Sequence, residues 1–461
     1  MPSRRDQLHS YQFMTQRVIS AFVMRETDPA QSPLRRGIGA VFGGVMVAVL
    51  IAAGVGIYGL ITKVGGDRWK TDGSVVIERE TGATFVFLDG QLHPTVNYAS
   101  ALLAAGRPGQ AAARVAAASL AGVPRGITVG IVGAPQSLPV AKQRIGLPWT
   151  VCAVPGTNDA GRPVSTVVLG VGVAPTGGRG TGEQGLLVRD AELGMNYLVW
   201  QGHRHLIQSS RVVIPALFGS VTATPVGTAW INALPAGADI APVQVRDRGR
   251  ASAALPGRTV GDILVAQTGA GPQYYLVLTD GLAPITALQR AILNAESAGE
   301  PAPIAVSEAT SAPQSDQLRR PSGGVQPPPA PPQLSAPGAD QLCAVTGEPD
   351  GVPALTTGGD LPGVQASIPT VGAAPDGSRL ADRILVPSGR VAVVRVLGSP
   401  ASYQVITDLG IRYPVVSDAA LQMLGYPAAE AVAVPAALVS RIPQGPTLDP
   451  QAAVRPALTG G

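Results

Sequence analysis

The sequence has 461 residues, of which only 14% are charged, and it contains 57 glycines and 43 prolines. Such a composition favours short strands, turns and extended connections over long helices, and the length suffices for about two to four domains. The formal net charge of +4 is spread along the chain without a concentrated basic stretch, which argues against a nucleic-acid partner.

The N-terminal tail, residues 1–36, has apolar side chains at helical spacing. These are Leu8, Tyr11, Met14, Val18 and Phe22, while arginines occupy other sides of the helical wheel. The spacing predicts a basic amphipathic helix, which could lie on the inner membrane leaflet or dock on a cytoplasmic partner. A solvated arm is the alternative.

Residues 37–62 follow without a single charged side chain. As a helix this run would be about 39 Å long, enough to cross a hydrocarbon core of about 30 Å with some tilt. The length predicts one transmembrane helix rather than a buried core helix or a cleavable signal peptide. Cations on the two flanks nearly balance, but the six arginines of the whole tail favour a cytoplasmic N-terminus.

Four segments beyond this helix share one pattern: an apolar strand, a tight turn with glycine, a second short strand and a helix. The turn residues are Asp89 and Gly90, Gly202, Asp280 and Gly281, and Asp408 and Gly410. Alternating apolar residues around such turns are typical of a β-hairpin, whose apolar face needs the following helix as a cover. The turn glycines lie 112, 79 and 129 residues apart, and this uneven spacing predicts separate α+β units rather than a regular solenoid.

Strand-like runs in residues 121–185 and 341–398 predict a central β-rich domain. The only two cysteines, Cys152 and Cys343, lie one in each stretch, and neither belongs to a CxxC or metal-ligand spacing. An even count beyond a membrane is consistent with one disulfide in an oxidising compartment, and two unrelated buried thiols are the alternative. We predict the bridge, which would join both stretches into one domain.

The predicted fold class is a single transmembrane helix plus an α+β extracytoplasmic region, with four small α+β repeat units flanking a central β-rich domain. The predicted segments are 1–36 (cytoplasmic amphipathic tail), 37–62 (transmembrane helix), 72–120 (repeat 1), 121–185 (central domain, first part), 186–235 (repeat 2), 258–300 (repeat 3), 301–340 (Pro-rich linker), 341–398 (central domain, second part), 399–442 (repeat 4) and 443–461 (C-terminal tail). The linker is expected to be extended, polyproline-like and poorly packed, and the C-terminal tail strap-like or loose.

Motifs for catalysis or ligand binding are weak. A P-loop needs a Gly-Lys pair, and none of the three lysines follows a glycine. The GxGxxG at Gly180, Gly182 and Gly185 precedes a strand-like run instead of a helix, so a loop is favoured over a phosphate site. His203 and His205 have no further ligands nearby in sequence and are interpreted as a surface or turn pair. No catalytic, cofactor-binding or metal-binding residue, and no cofactor, is predicted.

Several motifs resemble the EccB family, a core membrane component of the type VII (ESX) secretion systems of mycobacteria and related actinobacteria. In family order over essentially the whole chain, the motifs are Gln7–Phe13, Leu92–Leu102, Pro124–Gly126, Val129–Pro135, Trp149–Cys152, Gln273–Gly281 and Pro443–Leu448. The chain departs from the family pattern in the Pro-rich region before Cys343 and in its irregular second repeat.

This resemblance implies a cytoplasmic N-terminus at the plasma (inner) membrane and a bulk in the periplasm-like space under the outer envelope. It implies a bridge between Cys152 and Cys343, the partners EccC (the motor ATPase), EccD, EccE and a mycosin protease, and dimers within a hexameric complex. The expected function is structural: an anchored component that builds the extracytoplasmic part of a protein-export channel. Alternatives are an ATPase with a non-standard nucleotide site, since some family members carry that label, and a cell-wall-binding repeat protein.

Overall fold

The computed structural model describes residues 3–25, 34–62, 67–157, 160–161, 163–296, 299–318, 323–336, 338, 340–398 and 403–457. Six predicted segments therefore lie partly outside the described residues: the tail, the first part of the central domain, the third repeat, the linker, the fourth repeat and the C-terminal tail. Two compact units are present, one of residues 1–70, 77–82 and 113–123 and the other of residues 71–76, 83–112 and 124–461.

Two helices open the chain, α1 (Arg4–Met24) and α2 (Leu34–Thr62). Helix α1 begins at a capping box, in which Asp6 N donates to Ser3 Oγ and Ser3 N donates to an Asp6 carboxylate oxygen at 3.1 Å. Its apolar side chains, including Tyr11 and Phe22, are exposed. Among the described residues, Gly37–Tyr58 of α2 is the one helical stretch long and apolar enough to cross a membrane, as the uncharged run predicts.

The remaining elements are short, as the high glycine and proline content favours. The strands are β1 (Ser74–Glu78), β2 (Thr84–Leu88), β3 (Gln91–Pro94), β4 (Ala113–Val115), β5 (Arg144–Ile145), β6 (Trp149–Thr157), β7 (Pro163–Val171), β8 (Arg179–Gly180), β9 (Leu186–Asp190), β10 (Asn196–Trp200), β11 (His203–Ile207), β12 (Thr224–Val226), β13 (Ile263–Thr268), β14 (Gly271–Val277), β15 (Leu282–Ile285), β16 (Ala302–Pro303), β17 (Leu342–Thr346), β18 (Ala354–Thr357), β19 (Ile368–Pro369), β20 (Arg383–Leu385), β21 (Val391–Leu397), β22 (Tyr403–Thr407), β23 (Arg412–Val415) and β24 (Val432–Pro435).

Helices cover or connect these strands. They are α3 (Tyr98–Ala105), α4 (Ala117–Leu120), α5 (Ser210–Phe218), α6 (Thr228–Ala233), α7 (Ala287–Glu296), α8 (Val306–Ser311), α9 (Asp418–Met423), α10 (Ala436–Val439) and α11 (Pro450–Ala453), with 3-10 turns at Asp67–Trp69, Ala141–Gln143, Val364–Ala366 and Ala428–Glu430. Side-chain caps define where several of them begin: Asn97 Oδ1 accepts from Ser100 N at 2.8 Å at the start of α3, and Ser417 Oγ accepts from Ala420 N at 3.1 Å at the start of α9.

Four small sheets share one strand order. Three consecutive strands form a meander, and a fourth, reached through a helix, lies beside the first: β3-β2-β1-β4, β11-β10-β9-β12, β15-β14-β13-β16 and β23-β22-β21-β24. Strands β12, β16 and β24 run parallel to their partners, which requires the helical crossover because a tight turn cannot join parallel neighbours. The predicted fold class, a single apolar helix followed by small α+β repeats around a central β-rich domain, is confirmed.

The fifth sheet forms the central domain, with the strand order β19-β20-β7-β6-β17-β18-β8. Its middle is the long antiparallel hairpin of β6 and β7, and β17 arrives from nearly 200 residues further along the chain to pair with β6. The edge strands β19 and β8 have two residues each, so the sheet offers little unpaired edge to a foreign strand.

Three hydrophobic cores tie the repeats together. Repeats 1 and 4 share one core, which contains Val86, Leu103, Val405, Leu421 and Leu448. Repeats 2 and 3 share a second core between α5 and α7, which contains Leu198, Val213, Leu288 and Ile292. The third core joins the central sheet to repeats 2 and 4 around the fully buried Trp149 and Trp230.

Candidate functional site

The disulfide lies in the middle of the central sheet. Cys152 on β6 and Cys343 on β17 are directly opposite each other in the strand register, with their Cα atoms 4.1 Å apart and their sulfurs bonded. Both are fully buried, and Val168, Leu361 and Leu385 pack around them. The two residues are 191 positions apart, so the loop that the bridge closes contains repeats 2 and 3.

The turn residues do not share one hairpin geometry. Asp89-Gly90 and Gln201-Gly202 each have two successive positive φ angles, 49° and 74° in the first and 45° and 71° in the second. This is the type I′ geometry that matches the twist of paired strands. The Asp-Gly pair of repeat 3 differs, because Gly281 has φ 152° and a Cβ there would lie 2.2 Å from Pro313 O.

The four turns are not brought together into one site. A Cβ at Gly202 would lie 2.3 Å from Val352 Cγ1, between β17 and β18, whereas Gly410 approaches Ile384 on β20 and Gly281 approaches Pro313 of its own repeat. The turn carboxylates accept hydrogen bonds from separate neighbouring segments. Asp408 Oδ2 accepts from Gly389 N at 2.7 Å, and Asp280 Oδ1 accepts from Gln317 Nε2 at 2.8 Å. These residues therefore shape the repeats and do not form a shared chemical centre.

Each repeat is completed by a short strap that the sequence analysis did not assign to it. The straps are Pro124-Arg125-Gly126, Pro235-Ala236-Gly237, Pro313-Gln314-Ser315 and Pro443-Gln444-Gly445. In all four, the proline C=O accepts from the N–H of one residue of the outer hairpin strand, and the third strap residue donates back to that same residue, at 2.8 to 3.0 Å. The third strap residue follows the turn glycine by 34 to 36 residues, a constant spacing that would have revealed the motif.

In three repeats an aromatic ring lies against the strap glycine. A Cβ added at Gly126 or Gly237 would lie 2.2 Å from Cε1 of His93 or His205, and one at Gly445 would lie 2.4 Å from Cε1 of Tyr413. Repeat 3 instead has Ala283 at the ring position and Ser315 at the glycine position. Ring and glycine therefore form a matched pair, because the ring occupies the space that any side chain on the strap would need.

Substituting the glycine of one such pair tests this packing. We expect Gly237→Ala to lower the free energy of unfolding by about 1–3 kcal/mol, because the new methyl group overlaps the His205 ring. Combining it with His205→Ala should cost less than the sum of the two single changes, measured by guanidinium denaturation of the full chain in detergent. Gly269→Ala is the control, since a Cβ there meets nothing within 4 Å. Strictly additive effects would contradict the pairing.

The two histidines differ in burial, so the surface interpretation is wrong for His205, which is fully buried, while His203 is partly exposed. His205 Nδ1 donates to Ala238 O at 2.8 Å, and its Nε2 has no hydrogen-bond partner among the described residues. His203 Nδ1 instead faces Gln201 O at 3.0 Å. In the described part of the chain, no group of three or more His, Cys, Asp or Glu side chains could hold a metal ion.

Burial lowers the pKa of His205, and the nearby His203 lowers it further, whereas the Ala238 bond and Asp239 oppose the shift. The unfolded chain therefore binds a proton more readily than the folded chain does. We expect the free energy of unfolding to be independent of this residue above about pH 6.5 and to fall below it, by at most about 1.4 kcal/mol per pH unit. Denaturation at several pH values would measure this, and His205→Gln should remove that component of the slope.

The glycine-rich motif is a packing element. Gly180 pairs with Thr356 through β8, and Gly185 N donates to Gln333 O at 2.9 Å. A Cβ at Gly185 would lie 2.9 Å from Leu198 Cδ1. The chain then enters strand β9 and not the N-terminus of a helix, so the motif offers no helix-terminal cradle for a phosphate.

The Pro-rich segment, residues 323–336, is bound to repeats 2 and 3. Ala238 N donates to Val325 O at 2.8 Å, Leu288 N donates to Pro329 O at 3.1 Å, and Leu334 packs against the core that repeats 2 and 3 share. The expectation of poor packing is therefore wrong for these residues. An extended polyproline backbone leaves its carbonyls free to accept hydrogen bonds, and here neighbouring N–H groups use them.

Comparison with known families gives one match over nearly the whole length. The family described as "Type VII secretion system ESX-1, transport TM domain B" matches residues 1–457. Similar curated proteins of Mycobacterium tuberculosis (strain ATCC 25618 / H37Rv) are the ESX-1 secretion system ATPase EccB1, 33% identical over 304 residues, and the ESX-2 secretion system ATPase EccB2, 33% identical over 319 residues. The first alignment covers 63% of this chain and the second 66%, and each covers 61% of the relative, so the chain spans about three fifths of their length.

Two solved structures extend the similarity to the fold. A chain of an intact ESX-5 inner membrane complex superposes with a TM-score of 0.65 at 25% identity, covering 100% of this chain and 97% of that one. A chain of the EccB3 dimer from the ESX-3 core complex superposes with a TM-score of 0.62 at 27% identity, covering 83% of this chain and 100% of that one.

Proposed function

This chain belongs to the EccB family of type VII secretion transport proteins, and we propose that it is a structural, membrane-anchored component of an ESX secretion machine. The observation that carries the proposal is the superposition on a chain of an ESX-5 inner membrane complex over 100% of this chain. The apolar helix α2 would supply the anchor, and the repeats and central sheet the extracytoplasmic part of the export channel.

The architecture suits a part that holds neighbours at fixed positions. Repeats 1 and 4 share a core, as do repeats 2 and 3, and the central sheet joins both pairs. The buried disulfide and the bonded Pro-rich segment add covalent and hydrogen-bonded links to the half that holds repeats 2 and 3. Such a body presents several surfaces at set distances, and this is what an assembly scaffold requires.

Orientation and partners are part of the same proposal. The tail before α2 would lie in the cytoplasm, in keeping with its six arginines, and the bulk in the periplasm-like space, in keeping with a disulfide. The partners would be EccC, EccD, EccE and a mycosin protease, with self-association into dimers within a hexameric complex. For the domain assignment we propose the predicted segments with three changes: β16 (Ala302–Pro303) joins repeat 3 instead of the linker, β21 (Val391–Leu397) joins repeat 4 instead of the central domain, and each strap joins its repeat.

The test is whether the full chain assembles with the secretion machine in its native membrane. A C-terminally tagged chain in the native host, extracted in mild detergent, should migrate on native gels in one high-mass complex that holds the motor ATPase. The control lacks residues 72–457 and keeps the tail and the anchor; it should lose the high-mass form. The proposal fails if the motor complex forms at full size without the tagged chain in it.

An ATPase is the second candidate, because the similar curated proteins carry that word in their names. The sequence has no Gly-Lys pair, and its GxGxxG is a packing element, so the described residues offer no P-loop that would support turnover. We expect ATP hydrolysis to disappear as the full chain is purified. Activity that stays constant per mole through successive columns and is abolished by one point substitution would favour the enzyme.

A further inference from the structure

The expectation of evenly spread charge is wrong for one short segment before β13. Residues 63–461 have 28 lysines and arginines against 27 aspartates and glutamates, a net charge of +1. Residues 246–258, here called the basic loop, contain four arginines and one aspartate, a net charge of +3. Three of these arginines fall within five positions, which happens nowhere else in residues 63–461. The basic loop is therefore a local cationic feature on a region that otherwise sums to −2.

Backbone hydrogen bonds hold the basic loop in a defined conformation. Gly249 N donates to Val260 O at 2.9 Å and Ser252 N donates to Arg258 O at 2.9 Å, so the two arms of the loop pair as a hairpin. The Ser252 hydroxyl donates to Leu278 O at 2.8 Å and ties this hairpin to repeat 3. Because little backbone ordering is needed on binding, the loop suits recognition of a particular partner.

Arg246, Arg250 and Arg258 are accessible to such a partner. Arg246 is exposed and Arg258 partly exposed, and neither has an ion-pair partner among the described residues. Arg250 is 77% exposed although its guanidinium lies 3.4 Å from the Asp247 carboxylate. Like charges on so short a loop repel one another, and an anionic partner would relieve that repulsion.

The complementary feature is the turn between β17 and β18, residues 347–351, here called the acidic turn. Glu348 and Asp350 are both exposed and have no ion-pair partner in the described part of the chain. Among the described residues, no other two acids within three positions of each other are both exposed. Gly351 N donates to Glu348 O at 3.2 Å, and a Cβ at Gly202 would lie 2.3 Å from Val352 Cγ1, so this turn is also packed in place.

A protein surface fits the basic loop better than an anionic lipid surface does. Clusters that bind anionic lipids have about four to eight basic residues. The basic loop has a net charge of only +3 and carries Asp247 between two of its arginines. That carboxylate repels a uniformly anionic surface, but it can help to set the register of a protein surface with both signs of charge.

We propose that the basic loop of one copy of this chain binds the acidic turn of a second copy. Arginines pair with carboxylates through charge-assisted hydrogen bonds, and two copies related by a two-fold axis make the contact twice. Ion pairs at the rim of an interface chiefly set orientation and association rate, so this contact is one part of a larger interface. The inference rests on the self-association in the proposed function and names surfaces that take part in it.

Charge reversal on either surface tests the contact. The first variant combines Arg246→Glu with Arg250→Glu, and the second combines Glu348→Arg with Asp350→Arg. Each should weaken self-association of the full chain in detergent about tenfold or more, because the contact then joins like charges. Sedimentation velocity of the chain with a C-terminal monomeric fluorescent protein, over a concentration series, measures the dissociation constant.

Mixing the two variants, each with its own fluorescent colour, supplies the decisive comparison. In a mixed pair every contact again joins opposite charges, so the dissociation constant should return to within about threefold of the native value. This rescue would also show that both variants fold. Arg189→Glu combined with Arg211→Glu is the control, since both arginines are exposed and lie outside the basic loop, and it should leave self-association unchanged.

Three outcomes would overturn the inference: a native chain that stays monomeric, single reversals without effect, and a mixture that associates no more tightly than either variant alone. The native-gel test of the proposed function is independent of the last two. A native chain that enters the motor complex while the mixture shows no rescue would leave the proposed function in place and refute only this contact.

Discussion

Replacing both Cys152 and Cys343 with alanine is expected to lower the free energy of unfolding by about 2–5 kcal/mol. The bridge closes a loop of nearly 200 residues, and its removal releases conformational entropy in the unfolded chain. Because both cysteines are fully buried, the substitution also removes two sulfur atoms from the packed middle of the central sheet. Guanidinium denaturation of the full chain in detergent measures the change.

The reductant provides the control for this prediction. Dithiothreitol should shift the unfolding midpoint of the native chain and leave that of the double-alanine variant unchanged. The bridge should also resist reduction until the chain unfolds, since the sulfurs have no solvent exposure. A native chain whose midpoint does not respond to reductant after full unfolding and refolding would show that the bridge contributes no stability.

Replacing Trp230 with alanine is expected to cost about 3–5 kcal/mol of unfolding free energy. Trp230 is fully buried on α6, which packs against β6 of the central sheet and against α10 of repeat 4. Truncation would therefore open a cavity where repeat 2, repeat 4 and the central sheet meet. Denaturation followed by circular dichroism measures the loss.

Trp230→Phe separates the loss of volume from the loss of the indole N–H. The Trp230 Nε1 atom has no hydrogen-bond partner among the described residues, so removing it forfeits no polar interaction. We expect the phenylalanine variant to lose less than about 2 kcal/mol, because most of the apolar bulk remains. Equal destabilisation by phenylalanine and alanine would contradict the cavity argument.

The long apolar helix and the hairpins could be predicted because each depends on local pattern alone. An uncharged run, an alternation of apolar residues and a glycine turn carry their structural meaning within about 25 residues. The Asp-Gly pair is not a specific predictor of one turn geometry in this chain. Asp89-Gly90 adopts the expected turn, but Gln201-Gly202 adopts it without the aspartate, and the Gly281 turn is set by its contact with Pro313.

The straps and the Pro-rich segment could not be predicted from local pattern, since their structure depends on distant acceptors and donors. A run such as Pro327–Pro332 has the same composition whether it is solvated or bound to a neighbouring repeat. The surface interpretation of His205 is wrong for a related reason: the ring is covered by Gly237, 32 residues away, and not by its neighbours in the strand. Family resemblance pointed to Pro124–Gly126 and Pro443–Leu448 as motifs without showing what they contact.

The shared core of repeats 1 and 4 has a consequence for biosynthesis. Repeat 1 is synthesised before repeat 4, yet the core that contains Leu103 also contains Leu421 and Leu448, more than 300 residues later. An emerging chain must therefore keep an apolar surface exposed until its last segment has arrived, which slows maturation and invites capture by quality-control proteases. A ribosome that stops early would release a product with no completed first repeat, so unfinished copies would be recognisable before they could enter an assembly.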